Sequence, residues 1–280
     1  MTIKDTYNYI KKNLKEVFED DNSVKEIARF LFLKLYDIPL SQILSCQEEE
    51  ILDFSLDELD KILTRIKKSE PLEYIFNSAQ FLDLELFTES SVLIPRPETE
   101  ELAIMVSKQI SDGFNCLDIG VGSGCISIYC ALKNPNAIFF GCDISEKAIK
   151  TAEKNIEKYN VKNLKLFLTD IFTFETDKQF DIIVSNPPYV KESEKLFMQK
   201  NVLDYEPFTA LFVPDDNPLK FYKRITEFAE THLKLGGKIF FEINESLSLE
   251  TMQILKNHGF KSIESKNDLF GKPRFVIGEK

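Results

Sequence analysis

The chain has 280 residues, of which 43% are hydrophobic, and carries a formal net charge of −11. A chain of this length and composition is expected to fold as two domains with a substantial core, and its acidic balance argues against duplex DNA as the main partner. We find no apolar stretch of membrane-spanning length and no apolar signal region after Met1. The five scattered cysteines lack Cys-x-x-Cys spacing, which predicts free thiols in a reducing cytoplasm and no metal site.

Residues 1–70 are predicted to form a small all-helical N-terminal domain. Two segments, Ser23-Val24-Lys25-Glu26 and Ser55-Leu56-Asp57-Glu58, have the pattern of a capping box and precede apolar residues at helical spacing. In residues 71–100, leucines at positions 82, 84 and 86 alternate with acidic residues, which predicts a strand or hairpin linker. Residues 101–280 are predicted to form the third segment, a separate and larger domain.

A glycine-rich turn follows the apolar strand predicted for residues 114–119. The turn is Gly120-Val121-Gly122-Ser123-Gly124, and a helix is predicted from Cys125 to Leu132. Glycines permit positive φ and a close approach of the backbone, so a ligand can lie against the positive end of the helix. The pattern alone is a weak indicator of a nucleotide site, because glycines after strands are often only turns.

Asp143 ends the next predicted strand, residues 137–142, about 20 residues beyond the glycine turn. A carboxylate at this place can accept both hydrogens of a ribose diol. An isolated Asp at a strand end is more often a helix cap, yet its pairing with the glycine turn favours the ribose interpretation. The same pair of features is also compatible with a dehydrogenase.

The most informative segment is Asn186-Pro187-Pro188-Tyr189, which directly follows a strand predicted for residues 180–185. Two successive prolines fix φ and remove two backbone donors, so the loop presents acceptors, the Asn186 side chain and the Pro187 carbonyl. Such acceptors suit a planar NH2 group, with Tyr189 covering its plane. The tetrapeptide predicts a site for methylation of an amino nitrogen, and the competing interpretation is an Asn-Pro turn that merely closes a strand.

Strands and helices alternate through the rest of the chain, which indicates a doubly wound, mostly parallel sheet of the α/β class. A strand at Leu164 to Leu168 ends at Asp170-Ile171, so four consecutive strands deliver polar residues to one edge. Gly236-Gly237 is predicted to separate a helix from a strand at residues 238–243. Further helices are predicted at residues 145–159, 218–233 and 247–258, and both histidines, His232 and His258, are expected at helix ends.

Taken together, the motifs DIGVGSG, CDIS, TDIF and DIIVSNPPYV resemble those of the class I S-adenosylmethionine-dependent methyltransferases. The segment LIPRPETE at residues 93–100 resembles the signature of the release factor glutamine methyltransferases, the HemK/PrmC family, as do Tyr205-Glu206-Pro207 and Glu242-Ile243 further along. The resemblance covers roughly residues 68–280 and implies a seven-stranded class I sheet. It also implies methylation of the Gly-Gly-Gln glutamine of peptide chain release factors, and a helical N-terminal domain that helps to bind this protein substrate.

The resemblance assigns roles to individual residues. Gly120, Val121, Gly122, Ser123 and Gly124 would hold the methionine part of S-adenosylmethionine, Asp143 the ribose, and Asp170 and Ile171 the adenine. Asn186 and Pro187 would be catalytic, with Asn186 also beside the cofactor, and the four residues Asn186 to Tyr189 would hold the glutamine. Arg96, Glu98 and Glu100 are expected near the active site. Three positions depart from the family pattern: Ile171, where an aromatic is frequent, and Asn77 and Asn244, where glycine is common.

Alternatives remain open. Glutamine methyltransferases of a large-subunit ribosomal protein share the Asn-Pro-Pro-Tyr loop, although their segment before the glycine strand usually departs from PRPETE. A nucleic-acid adenine amino-group methyltransferase would use the same loop but would need a basic groove or a target-recognition domain. A dehydrogenase would leave the tetrapeptide unexplained, and a non-catalytic binding module would not need its intact residues.

Overall fold

The computed structural model describes all 280 residues, which form two compact units, Met1–Ile75 and Phe76–Lys280. The smaller unit contains five helices: α1 (Ile3–Leu14), α2 (Asp21–Tyr36), α3 (Leu40–Ser45), α4 (Leu56–Lys67) and α5 (Leu72–Ile75). Helices α1, α2 and α4 pack together through fully buried apolar side chains, among them Ile10, Leu14, Leu31, Phe32 and Leu59. None of the helices in either unit combines the length and the apolar composition needed to cross a bilayer.

One of the two predicted helix caps in this unit is confirmed and the other is wrong. Ser55 caps α4, because its side chain accepts a hydrogen bond from the Glu58 amide at 3.3 Å. Helix α2 begins before Ser23, and its cap is Asp20, whose carboxylate accepts from the amides of Asn22 and Ser23. A carboxylate accepts two amides at once and interacts favourably with the helix dipole, so it is the better cap of the two candidates.

The larger unit contains eleven strands and seven α-helices. In chain order these are β1 (Ser78–Phe81), β2 (Leu84–Phe87), α6 (Pro97–Ser107), β3 (Asn115–Ile119), α7 (Cys125–Lys133), β4 (Ile138–Asp143), α8 (Glu146–Lys158), β5 (Leu164–Leu168), β6 (Phe180–Ser185), β7 (Val190–Lys191), α9 (Lys200–Tyr205), α10 (Phe208–Leu211), β8 (Phe212–Val213), α11 (Lys220–His232), β9 (Leu233–Glu242), α12 (Ser248–Asn257), β10 (Lys261–Asn267) and β11 (Pro273–Glu279). The two histidines lie at helix ends as expected, His232 in the last position of α11 and His258 directly after α12.

Seven of these strands form one sheet in the order β10-β11-β9-β6-β3-β4-β5. Strands β9, β6, β3, β4 and β5 are parallel, and β11 is antiparallel to both of its neighbours. The predicted seven-stranded, mostly parallel class I sheet is therefore confirmed. Because the parallel strands share a direction, the residues after β3, β4, β5 and β6 meet at one edge.

Side chains that alternate along the central strands supply the cores on both faces of the sheet. Cys116, Ile182 and Phe240 belong to the cluster packed against α6 and α7. Their chain neighbours Leu117, Ile183 and Phe241 belong to the cluster packed against α11 and α12. Continuous apolar runs of this kind are expected of parallel strands that are covered on both faces.

Strand β9 differs from the prediction, because Gly236 and Gly237 lie inside it and do not precede it. A Cβ atom at Gly237 would lie 2.9 Å from the Asp181 carbonyl oxygen of the neighbouring strand. The pairing of β9 with β6 also shifts register between Phe180 and Ile182. The glycines therefore let an irregular strand start directly after α11 and run close to the Asp181 backbone of β6.

Within residues 71–100, where a strand or a hairpin was predicted, β1 and β2 form an antiparallel pair. Asn77 precedes it with φ of 49°, a left-handed conformation that asparagine tolerates. The Asn155 side chain of α8 donates to the carbonyls of Phe87 and Ser123 and accepts from the Phe87 amide, so it ties β2 to the glycine turn. Asn244 has φ of −64°, so its backbone does not require glycine.

Candidate active site at the carboxyl edge of the sheet

A cavity of about 530 Å³ lies where β3, β4, β5 and β6 end. Nearly all the predicted site residues line it: Gly120, Val121, Gly122, Ser123, Asp143, Asp170, Ile171, Asn186, Pro187 and Pro188. Gly124 and Tyr189 do not. The loop Asn186-Pro187-Pro188-Tyr189, the proline loop, is followed by a segment that contributes Glu192 and Phe208. The segment before α6 contributes Arg96. The sheet therefore brings residues from four strand ends and two loops to one space.

The glycine turn has positive φ at Gly120, Gly122 and Gly124, with values of 80°, 54° and 85°. Gly124 is the cap residue of α7, and a Cβ atom there would lie 2.8 Å from the Cδ1 atom of Ile128. Gly124 therefore serves the packing of the turn against its own helix. Gly122 faces the cavity and donates its amide to Asp143 at 3.0 Å.

Asp143 uses each carboxylate oxygen for one backbone amide. Oδ2 accepts from Gly122, and Oδ1 accepts from Ser145 at 2.9 Å. The cap of α8 is the side chain of Ser145, which accepts from the Ala148 amide. Since a carboxylate oxygen has two lone-pair sites, each Asp143 oxygen can accept one further hydrogen bond from a group in the cavity. Burial raises the pKa of Asp143, and its backbone hydrogen bonds oppose that change.

Apolar side chains form the wall beyond β5. Ile171 is buried in the core below and also lines the cavity. Phe172 and Phe221 lie against each other with ring centroids 5.6 Å apart, and both line the same space. Asp170 accepts the Phe172 amide at 3.0 Å, which holds this turn in place. The wall offers an aliphatic face and aromatic rings to a flat ligand.

The Asn186 side chain is held by a hydrogen bond to Thr99, which also lines the cavity. Its Nδ2 atom donates to the Thr99 hydroxyl oxygen at 3.1 Å, and the Thr99 hydroxyl donates to Glu242 Oε2 at 2.7 Å. The Tyr189 hydroxyl donates to the other oxygen of the same carboxylate, Oε1, at 3.0 Å. Tyr189 is therefore directed toward Glu242 and the core, whereas the sequence predicted that it would cover the plane of a substrate. Burial raises the pKa of Glu242 to about 7.

The segment before α6 is fixed by a buried carboxylate. Arg96 forms an ion pair with Glu206, with 2.6 Å between Nη2 and Oε1, and the Ile94 amide donates to Glu206 at 3.4 Å. Pro97 then starts α6 at the position where a missing N–H is tolerated. Of the three charged residues expected near the site, Arg96 lines the cavity, whereas Glu98 and Glu100 do not.

Sequence reasoning missed roles for three buried polar residues: Thr99, Glu242 and Asp118. Glu242 was recognised only as part of a family motif, and Thr99 only as a letter in PRPETE. Asp118 lies on β3, accepts a hydrogen bond from the Ser127 hydroxyl through Oδ2, and has no partner for Oδ1. Burial raises its pKa to about 7. The available signal was an acidic residue inside an apolar strand next to a glycine turn.

Comparison with solved structures supports the fold. A methyltransferase from Pyrococcus furiosus superposes with a TM-score of 0.53 at 19% identity, covering 80% of this chain and 98% of that one. A ribosomal protein L11 methylase from Lactobacillus delbrueckii subsp. bulgaricus gives a TM-score of 0.51 at 17% identity, covering 69% of this chain and 83% of the other. At these identities the likeness concerns the fold alone.

Sequence comparison is more specific. Residues 99–204 match the methyltransferase small domain family. The release factor glutamine methyltransferase of Flavobacterium psychrophilum is 38% identical, over 99% of this chain and 98% of its own. The enzyme of the same name from Bacteroides thetaiotaomicron is 36% identical, over 97% of this chain and 98% of its own. With relatives this similar over nearly the full length of both chains, the protein belongs to the release factor glutamine methyltransferase family.

Proposed function

We propose that this protein transfers a methyl group from S-adenosylmethionine to the side-chain amide nitrogen of the glutamine in the Gly-Gly-Gln motif of peptide chain release factors. The single observation that carries the proposal is the placement of Asn186 and Pro187 in the same cavity as Asp143 and the glycine turn. One part of this cavity suits a nucleoside and the other suits an NH2 group. Family membership supports both the reaction and the substrate.

The residues present fit S-adenosylmethionine. The Asp143 carboxylate retains one acceptor site on each oxygen, which matches the two hydroxyls of a ribose. Ile171, Phe172 and Phe221 offer an apolar surface to adenine. The open backbone at Gly120 and Gly122 leaves room for the methionine part, since a Cβ atom at either position would have no neighbour closer than 4.0 Å. When bound, S-adenosylmethionine supplies a methyl carbon made electrophilic by the sulfonium.

The proline loop acts on the substrate amide. An amide nitrogen is a poor nucleophile because its lone pair is delocalised into the carbonyl group. Asn186 Oδ1 and the Pro187 carbonyl would accept its two hydrogens, which directs the nitrogen and increases its electron density. Pro188 adds an apolar wall. As the new N–C bond forms, the bond between the methyl carbon and the sulfonium sulfur would break, and S-adenosylhomocysteine would leave. The alkylated nitrogen would then release one proton to water, and that proton is acidic enough that the site needs no strong base beforehand.

For Tyr189 we propose a role other than the substrate contact that the family resemblance implied. Its hydroxyl is bonded to Glu242 and its side chain does not line the cavity. We assign it a supporting role through Glu242, and we keep substrate contact for Asn186, Pro187 and Pro188.

We also propose roles for the three segments of the chain, a class of partner and a cellular compartment. We assign residues 1–70 to recognition of the release factor, residues 71–100 to a linker with the PRPETE segment, and residues 101–280 to catalysis. A net charge of −11 is compatible with a protein substrate and disfavours nucleic acid as a direct partner. We place the reaction in the cytoplasm, where release factors work.

The test is methyl transfer from labelled S-adenosylmethionine to a purified bacterial release factor. A matched release factor with alanine in place of the Gly-Gly-Gln glutamine is the control. We expect label only on the unchanged factor. If neither factor is labelled while the protein still binds the cofactor, the substrate assignment is wrong, and the ribosomal protein and nucleic-acid amino groups become the substrates to test.

A further inference from the structure

Four polar side chains from three segments of the protein form one largely buried chain of hydrogen bonds. It runs from Tyr189, after β6, to Glu242 at the end of β9, then to Thr99 on α6 and to Asn186 at the cavity. Thr99 and Glu242 are almost fully buried, with exposed fractions of 3% and 1%. The three successive distances are 3.0, 2.7 and 3.1 Å. The chain begins in the core and ends on the side chain that faces the substrate site.

The chemistry of the chain determines which end of the Asn186 amide points into the cavity. An ionised carboxylate only accepts hydrogen bonds, so the single proton of the Thr99 hydroxyl is directed to Glu242. The Thr99 oxygen must then accept from its other neighbour, and only the NH2 end of Asn186 can donate. The carbonyl end, Oδ1, is left to accept hydrogen bonds from a group in the cavity.

We propose that Thr99 and Glu242 are positioning residues that hold Asn186 with its carbonyl oxygen toward the substrate amide. The two ends of an asparagine amide are nearly equal in size, so shape alone does not select the correct end. A flipped Asn186 would direct an NH2 group at the NH2 group of the glutamine, and neither could accept. The proposal rests on the proposed function, because it concerns the orientation of the same substrate amide.

The charge of Glu242 controls the direction of the chain. Burial raises the pKa of Glu242 to about 7, and the hydrogen bonds from Thr99 and Tyr189 oppose that rise. The other titratable or charged groups that face it are Arg274 on β11, Glu98 on α6, Tyr222 on α11 and Cys125 on α7. Once protonated, Glu242 becomes a donor and the chain can reverse, which leaves Asn186 free to flip. The rate of methyl transfer should therefore fall as the pH drops through about 7.

Two substitutions at one position test the contact. Thr99→Val keeps the shape of the side chain and removes the hydroxyl, whereas Thr99→Ser keeps the hydroxyl. With saturating cofactor and release factor, we expect Thr99→Val to transfer methyl groups about 100-fold more slowly, with its affinity for S-adenosylhomocysteine within about threefold of the original. Thr99→Ser should restore the rate to within about threefold. Equal rates for the two variants would overturn the proposal.

The pH profile of the rate tests the role of Glu242. Tyr189→Phe removes one hydrogen bond to the carboxylate and should therefore displace the acidic limb of the profile to higher pH. Tyr222→Phe is the matched control, because the Tyr222 hydroxyl donates to the backbone oxygen of Glu242 at 3.2 Å and not to its carboxylate. The limb should stay in place for this variant. The proposal would be contradicted if the acidic limb of the pH–rate profile were unchanged in Tyr189→Phe, or if it moved equally in Tyr189→Phe and Tyr222→Phe.

A measurement that does not depend on substrate separates this proposal from the proposed function. In ¹⁵N-labelled protein, the side-chain NH2 signal of Asn186 can be assigned by its loss in Asn186→Ala. We expect one of its hydrogens to be protected from exchange above pH 7, and the protection to be absent in Thr99→Val. Absence of protection in the unmodified protein would overturn the orientation, whereas a lack of methyl transfer with protection intact would count against the substrate alone.

Discussion

Replacing Asp143 with asparagine removes one of two carboxylate oxygens, and we expect it to weaken cofactor binding. Both oxygens already accept a backbone amide, from Gly122 and Ser145. The NH2 group of the new side chain would therefore face one of these amides in either orientation, and two donors would meet. On the cavity side, the same NH2 group would replace an acceptor for one ribose hydroxyl.

The two losses affect different quantities. The unfavourable contact with the backbone exists with or without ligand, so it lowers the free energy of unfolding, by about 1–3 kcal/mol, and largely cancels from the dissociation constant. The lost hydrogen bond from a hydroxyl to a charged acceptor is worth about 1.5–3 kcal/mol, which corresponds to about 10- to 100-fold in affinity. Because burial raises the pKa of Asp143, cofactor affinity should also fall at acidic pH as this carboxylate is protonated, and Asp143→Asn should lack that dependence.

Titration calorimetry with S-adenosylhomocysteine measures the effect. An analogue without ribose hydroxyls is the matched control, since it should bind the original protein and the variant with nearly equal affinity. A variant that binds S-adenosylhomocysteine within about twofold of the original would refute the ribose assignment. The same conclusion would follow if the substitution weakened the analogue by an equal factor.

Three other substitutions test separate parts of the account. Asn186→Ala should slow single-turnover methylation by at least about 100-fold while calorimetry finds cofactor affinity within about threefold, and a near-normal rate would reject its role. Burial raises the pKa of Asp118 from 3.8 to about 7. Ionisation of Asp118 therefore lowers the free energy of unfolding by at most on the order of 4 kcal/mol above pH 7, and it has no effect below pH 4, where the group is protonated in both the folded and the unfolded chain. Asp118→Asn should thus be more stable relative to the original protein at pH 8 than at pH 5 in thermal unfolding, and an equal difference at both would contradict the burial argument. Gly124 and Gly113 both have positive φ, but a new Cβ atom at Gly124 would lie 2.8 Å from Ile128, whereas one at Gly113 would have no neighbour within 4 Å. In urea unfolding, Gly124→Ala should therefore be less stable than Gly113→Ala by about 1–3 kcal/mol. Equal losses of stability would mean that Ile128 moves aside freely.

The central strands were predictable because their signals are local. Strands β5 and β6 span the predicted residues, 164–168 and 180–185, since each is a short apolar run that ends at polar or proline residues. Strand β9 was not, because Gly-Gly usually punctuates a chain, and only the proximity of the Asp181 carbonyl in the folded sheet explains why a strand contains it. The cap of α2 was missed for a similar reason, since two good cap residues, Asp20 and Ser23, compete within four positions.

In the candidate site, too, the sequence predicts some features and not others. Asp143, Asn186 and the glycine turn were predictable because residues at the ends of successive parallel strands must meet at one edge. The contact between Thr99 and Asn186 joins residues 87 positions apart, and nothing in the spacing of either motif indicates it. The direction of Tyr189 was equally hidden, because it is determined by the buried Glu242 carboxylate, which comes from a strand further along the chain.

Fragment-ion mass spectrometry of a release factor, after incubation with this protein and S-adenosylmethionine, tests the central claim most directly. The account predicts one added methyl group, on the side-chain amide of the Gly-Gly-Gln glutamine, and at least about 100-fold less of it in the same incubation time when Asn186→Ala replaces the original protein. A methyl group on any other residue, or an unmodified glutamine after incubation with cofactor-bound protein, would contradict it.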